Sequence, residues 1–428
     1  MTASAPPAET SGAPRRTGIF RDMNFVRFWG AVTVSGIGSQ VTLLALPLTA
    51  VLTLRADAFQ VGLLTTLQML PVLFVTPFAG VMADRFPVRL LNSLCDLLRG
   101  FVLLSVPVMA WLDSLTVERL YVVALVLGCL KCLADVAHHS MLPHLVDDDR
   151  LVAGNAAVNA SYSVTNVAGP GLGGALIQLL TAPFALLVDV VSFLLSGALI
   201  ASLRTRPADP DQEAAGKPSE GWWRSVAEGF RYLVADHRLL FLGLCSGAAN
   251  LFIQAYATVL VIFVVQSLGL SATVLGIVYG CGALGGVAGA MVAKRVGERF
   301  AAGTAIVAGL VCTGVGIIGL TAAALVDGVL PRSAVLVLGT LVYSAGVALY
   351  NVHAMSTRQR LARRDMLGRV TASYRLLSHG ALPLGSFLGG LGADRLGAGP
   401  TIALAGVGVI VWVGILMLTP FRRLQQED

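Results

Sequence analysis

Apolar runs of about twenty residues follow one another along nearly the whole chain, separated by brief charged, glycine or proline breaks. A hydrocarbon core of ~30 Å takes about 20 helical residues to cross, and within it each backbone amide must find its partner inside its own segment. Reading the runs between breaks predicts spans at 28-53, 59-83, 90-112, 117-142, 155-180, 183-203, 239-267, 271-293, 301-324, 332-356, 370-392 and 401-420. Composition agrees, since 56% of the 428 residues are hydrophobic and 13% are charged, against roughly 45–50% and 25% in an average soluble domain. The expectation is an all-α membrane protein with twelve transmembrane helices and little chain left for a soluble domain.

The net charge of +6 does not point to nucleic acid, because the basic residues punctuate apolar runs instead of clustering on one face of a soluble fold. Their use is topological. With the amino terminus inside, 23 of the 30 Lys and Arg fall in inner segments, which predicts a multi-pass protein of the cell inner membrane with both termini cytoplasmic. Residues 1-26 lack an apolar core before a small-residue cleavage site, so they read as a soluble tail. All six cysteines lie inside apolar runs, which argues against a disulfide framework; Cys129 and Cys132 form a C-x-x-C without a preceding strand. No cysteine–histidine spacing suits zinc, and neither a metal nor a cofactor is expected.

The longest connection, 204-238, divides the chain into halves at 27-203 and 239-420, with 421-428 as a second tail. Its first part is polar and proline-rich (Pro207, Pro210, Pro218), a flexible linker. Its second part places Trp222, Val226, Phe230 and Leu233 at helical spacing, which suits a helix lying on the inner membrane surface. The halves echo each other: Asp84-Arg85 after span 2 has a counterpart in Lys294-Arg295, and Pro170-x-x-Gly173 a looser one in Pro383-x-Gly385. A duplicated six-span unit suits a transporter, whose halves rock about a central site.

Gly80-Val-Met-Ala-Asp84-Arg85-Phe-Pro-Val-Arg89 resembles the loop 2-3 signature of the major facilitator superfamily, G-x-x-x-D-R/K-x-G-R/K-R/K. Gly80, Asp84, Arg85 and Arg89 match; Pro87 and Val88 depart. Gly169, Pro170, Gly173 and Gly174 resemble the span-5 signature of its drug and proton antiporters, with Thr165 at the leading glycine. Leu142-Pro143-His144-Leu145-Val146, Gly368-Arg369-Val370 and Leu382-Pro383-Leu384-Gly385 are similar to the bacterial exporter branch that includes enterobactin and macrolide efflux proteins. The resemblance runs from about residue 20 to 420. It implies the major facilitator fold, two six-helix halves, and a gating role for the Asp84 loop. The antiporters' span-4 Arg followed four residues later by Gly is not reproduced; Lys131 and Asp135 stand nearest to it.

Ionisable groups at membrane depth are costly and therefore functional candidates. At 1.5 Å per residue, Asp96 and Arg99 lie about 9 and 14 Å from the inner face, and Asp135 and Lys131 about 10 and 16 Å. The four share one layer and sum to zero charge: a structural network, a proton-coupling one or a substrate contact, with Asp135 the favoured proton carrier and Asp96 its competitor. By resemblance, spans 1, 4, 7 and 10 line the cavity, which nominates Gln40, Lys131, Asp135, Asn250, Gln254, Tyr256, Tyr350 and Asn351 for substrate.

The function expected is secondary transport by alternating access, not enzyme catalysis: a monomer exporting a small amphiphilic or apolar molecule across the bilayer, driven by protons. No G-x-x-x-x-G-K-[ST] loop for ATP appears in the sequence. An uptake symporter or lipid flippase of the same fold is the alternative, and a transport-inactive sensor a more distant one.

Overall fold

The computed structural model describes residues 19–75, 78–79, 82, 86–203, 222–363 and 366–417, and its described residues form helices and turns without a strand. In the first half, α1 (Met23–Leu48) runs on through a π-turn at Thr49–Thr53, and α2 (Ala58–Met69) through a further turn at Pro71–Phe74. They are followed by α3 (Val88–Trp111), α4 (Val117–Met141), α5 (Leu151–Leu180) and α6 (Ala182–Ala201). After the linker come α7 (Trp222–Ala235), α8 (His237–Ile262), α9 (Ala272–Arg299), α10 (Ala302–Thr321), α11 (Val329–Leu361), α12 (Leu367–His379), α13 (Ala381–Leu396) and α14 (Ala398–Met417).

Helix starts are marked chemically. Asp22, Asp57, Thr116, Asp236 and Ser271 each accept a backbone N–H from the first turn of α1, α2, α4, α8 and α9, satisfying donors that a helix leaves unpaired. At α2 the cap is reciprocal: Gln60 N donates to Asp57 Oδ1 at 2.7 Å, and Asp57 N donates to Gln60 Oε1 at 3.0 Å.

Each predicted span overlaps helix, and nine helical stretches among the described residues are long and apolar enough to cross a membrane. The other three spans differ for local reasons. The second is described only as α2 and its extra turn, the fifth carries Asn155, Asn159, Asn166, Ser161 and Ser163 along α5, and the eleventh is divided at Gly380 into α12 and α13.

The halves pack alike. In the first, α1 lies against α5 and α6, α3 against α4 and α6, and α2 against α4; in the second, α8 lies against α13 and α14, α10 against α11 and α14, and α9 against α11. The same pairing with the same element order is the structural form of the sequence echo.

Four short connections, α1 to α2, α3 to α4, α8 to α9 and α10 to α11, and two single-residue breaks at Thr181 and Gly397 define one face, called here the turn face; α7 marks the opposite, linker face. At three turn-face positions the second half uses glycine at positive φ, namely Gly269, Gly328 and Gly397, before α9, α11 and α14. The first half has Arg55, Asp113 and Thr181 at positive φ before α2, α4 and α6. Thr181 (φ 67, ψ 160) adopts nearly the geometry of Gly397 (φ 90, ψ 159), a region almost confined to glycine.

Two seams join the halves, α5 against α9 and α2 against α13. A Cβ at Gly62 would meet the Gly390 Cα at 2.6 Å, and one at Gly174 the Ala272 carbonyl oxygen at 2.5 Å, so backbones touch directly. Phe59 and Phe387 add an edge-to-face contact, and Gln266 Nε2 donates to the Ala56 carbonyl at 3.5 Å across the turn face. Toward the linker face the α5 and α9 stripes continue as exposed residues, Val164 (65%) and Met291 (71%) among them. The described contacts between the halves thus gather toward the turn face, and exposure along α5 and α9 rises toward the linker face.

Candidate transport site

Of the loop resembling the gating signature, Gly80, Asp84 and Arg85 lie outside the described residues. Arg89 stands at the start of α3, where its guanidinium donates to the Leu203 carbonyl at 2.6 Å and ties α3 to the end of α6.

The span-5 motif is a packing element with two faces. Gly169 admits Gln40, since a Cβ there would lie 2.5 Å from the Gln40 Cβ, and Gly173 lies against the Val41 backbone, so these two glycines seat α5 on α1. Gly174 and the Pro170 carbonyl face α9, where Gly276 fits against that carbonyl. Pro170 stays within continuous helix. The motif therefore sits where the first half meets the second.

The four predicted charges form two pairs in different surroundings. Lys131 Nζ lies 2.9 Å from Asp135 Oδ2, with about half of each side chain open (56% and 57%). Asp96 is buried at 1% side-chain exposure: it accepts from Ser196 Oγ at 2.6 Å, and Arg99 Nη1 lies 3.5 Å away. The Arg99 guanidinium stacks 3.9 Å above the Phe193 ring. A fifth ionisable group joins this layer. Asp189 on α6 is fully buried, accepting from Thr42 Oγ1 of α1 at 2.5 Å and lying 2.8 Å from Ser192 Oγ. Sequence reasoning left Asp189 out of the site, although its spacing with Ser192 and Ser196 traces one polar stripe along a helix.

The predicted cavity residues separate likewise. Gln40 is partly open and donates to Asn166 Oδ1 at 2.8 Å; Asn351 is exposed. Asn250 donates to Ser378 and Gln254 to Ser386, so both amides bridge α8 to the eleventh span. Tyr256 and Tyr350 are buried: Tyr256 packs edge-on against Tyr343, and Tyr350 donates to Ser246 Oγ at 2.7 Å. Of the predicted polar groups and their partners, Gln40 is partly exposed and Asn166, Lys131, Asp135 and Asn351 are exposed. Among the described residues no group of three or more His, Cys, Asp or Glu side chains is arranged to hold a metal ion, and His353 is engaged with the Ala293 carbonyl.

A family model described as Major Facilitator Superfamily matches residues 28–386. The chain belongs to this superfamily. It is a transport protein of the membrane, not an enzyme. Among curated relatives of this major facilitator, the multidrug efflux pump Tap of Mycobacterium tuberculosis is 29% identical over 398 residues, 88% of each chain. Tap of Mycolicibacterium fortuitum is 25% identical over 410 residues, 93% of this chain and 95% of that one. Solved structures with the same fold include the nucleoside transporter NupG (TM-score 0.73, 11% identity, 95% of this chain and 100% of that one). Another is a bacterial homologue of the human lysosomal transporter Spinster, inward-facing and unoccupied (TM-score 0.71, 15% identity, 96% and 99%).

Proposed function

We propose that this major facilitator exports a small amphiphilic or apolar compound from the cytoplasm by alternating access, in exchange for protons. The observation that carries the reading is the pair of similarly packed halves, in backbone contact toward the turn face and more exposed along the same helices toward the linker face. Exchanging which face is closed moves a solute across without opening a continuous pore. The efflux name of the Tap relatives supports the outward direction, and the excess of basic residues on the linker side supports placing that side, with both termini, in the cytoplasm. The conformation is then inward-facing. A proton entering gains about 2.3 kcal/mol per 100 mV of membrane potential, roughly a fifty-fold gradient of work.

On this reading the cleft groups Gln40, Asn166, Asn351 and the Lys131–Asp135 pair meet the solute, with apolar surface supplying most of the affinity. The Asp84–Arg85 loop closes the inner face in the opposite state, its carboxylate near a helix terminus. Residues 204-238 tie the halves on the cytoplasmic side. There α7 rests on α12 through Gly229 against the Arg369 carbonyl and an Arg369–Glu228 ion pair at 2.6 Å.

Expression in an efflux-deficient bacterial host, followed by a screen of amphiphilic dyes and antibiotics, tests the export reading. At least one compound should accumulate less than in the empty host, and collapsing the pH gradient should restore its level. Uptake raised by the protein would favour a symporter instead. Reporters in the linker and after residue 428 should report cytoplasm, and one at Asp327 the outside. The Asp84→Asn variant should insert normally and lose transport; unchanged export would leave that loop with an orienting role only.

A further inference from the structure

We infer that Asp189, at the buried junction of α6 with α1, is a proton-binding site of the transport cycle, with Arg99 as the cation that drives the proton off. This rests on the proton-coupled reading above. The motif-bearing loops play no part in it.

The geometry is specific about where a proton fits. Ser192 Oγ lies 2.9 Å from the Asp189 backbone carbonyl and 2.8 Å from Asp189 Oδ1. A hydroxyl has one proton to give. When Ser192 donates it to the carbonyl, in a common local bond, its lone pair faces Oδ1 and accepts an O–H from the acid form of Asp189. Thr42 Oγ1 meanwhile donates to Oδ2. Both carboxyl oxygens of the neutral acid are thus satisfied without any cation within ion-pairing distance among the described residues. Gly38 of α1 lies so close to Asp189 and Ser192 that any larger residue would displace them.

The charge count points the same way. The charged groups near enough to act on Asp189 are Arg99 and Asp96. From α1 the only charged residue is Arg27, at the far end against the Ser202 carbonyl, and α5 carries no acidic or basic residue. Two carboxyls therefore share one guanidinium in a dry layer, where an uncompensated charge is costly. One bound proton makes the layer neutral. Arg99 keeps an unused donor: its Nε is buried and makes no hydrogen bond among the described residues. A small shift of α1 relative to α6 that parts Thr42 from Asp189 would let Arg99 turn toward the carboxylate as the proton leaves. Because α1 also presents Gln40 to the cleft, a solute binding there and the proton on Asp189 act on one helix. Asn92 supplies a wet approach: it is fully buried one turn from Asp96, and neither of its amide atoms has a partner among the described residues. Such groups call for ordered water.

Infrared difference spectroscopy of the purified full-length protein in lipid, titrated across neutral pH, reads the proton directly. The wild type should show the carbonyl-stretch band of a protonated carboxylic acid; Asp189→Asn should lack it, and Asp135→Asn should retain it. Thr42→Val and Ser192→Ala should shift its frequency by changing the hydrogen bonds to the acid, which keeps the test open where Asp189→Asn fails to fold. A band that survives Asp189→Asn, is absent from the wild type, or ignores both hydroxyl variants would overturn the assignment. The measurement needs no substrate, so an intact Asp189 band in a protein whose efflux ignores the pH gradient would sink the proton-coupled reading alone.

Discussion

In the first half, α1, α3 and α6 close around Asp96, Arg99 and Asp189. The corresponding trio in the second half is α8, α10 and α14, and α10 and α14 carry no acidic or basic residue at all. A polar centre of that half contains no acid: Ser246 of α8 accepts from the hydroxyls of Tyr350 and Tyr374 at 2.7 and 2.8 Å, and the one cation beside them, the Arg358 guanidinium, is stacked 4.3 Å from the Tyr374 ring instead of paired with a carboxylate there. The same helix pairing thus tolerates an interior built around buried acids and one without them. Small residues and apolar side chains hold both scaffolds together, which left the buried polar groups of one half open to specialise.

Five variants probe that contrast in falling order of effect, each read as thermal unfolding of purified protein in lipid. Asp96→Leu strands Arg99 in the core and should cost about 3–5 kcal/mol, the penalty for breaking a buried pair. The double variant Asp96→Leu/Arg99→Leu should recover part of that loss, because burying two apolar groups avoids the uncompensated charge; no recovery would mean the pair is not coupled. In the second half, Ser246→Ala removes the shared acceptor of two phenols and should cost about 1–3 kcal/mol. A loss from Ser246→Ala as large as that from Asp96→Leu would erase the distinction between the halves. The smallest effect has the opposite sign. Thr181→Gly relieves a β-branched residue from a positive φ and should stabilise by about 1 kcal/mol, whereas Gly397→Ala at the matching turn should destabilise by a similar amount.

Apolar periodicity made the helices legible, since a bilayer leaves few alternatives for a run of twenty apolar residues. It could not say which face of a helix turns inward, because lipid and protein interior are both apolar. Tyr256 and Tyr350 show the consequence: helix identity assigned them to the cavity, and helix rotation buries them. Asn250 and Gln254 went the same way, spent on contacts between helices. Depth alone placed the four charges in one layer, but depth does not separate the open Lys131–Asp135 pair from the enclosed Asp96–Arg99 pair. In the sequence Asp189 reads as a structural acid, single and without a motif; the serines three and seven residues after it were the available signal.

The glycine seams at the turn face also have a mechanical consequence. Where backbone meets backbone, as at Gly62 and Gly390, the attraction is mainly dispersion, and a gap of 0.5–1 Å already forfeits about a quarter to a half of it. Such a joint has almost no elastic range: it is shut or it has let go, and intermediate apertures are poorly populated. Such a seam behaves as a snap fastener, and because the glycines and aromatic rings that meet in it bear no charge, salt in the surrounding solution has little hold on it.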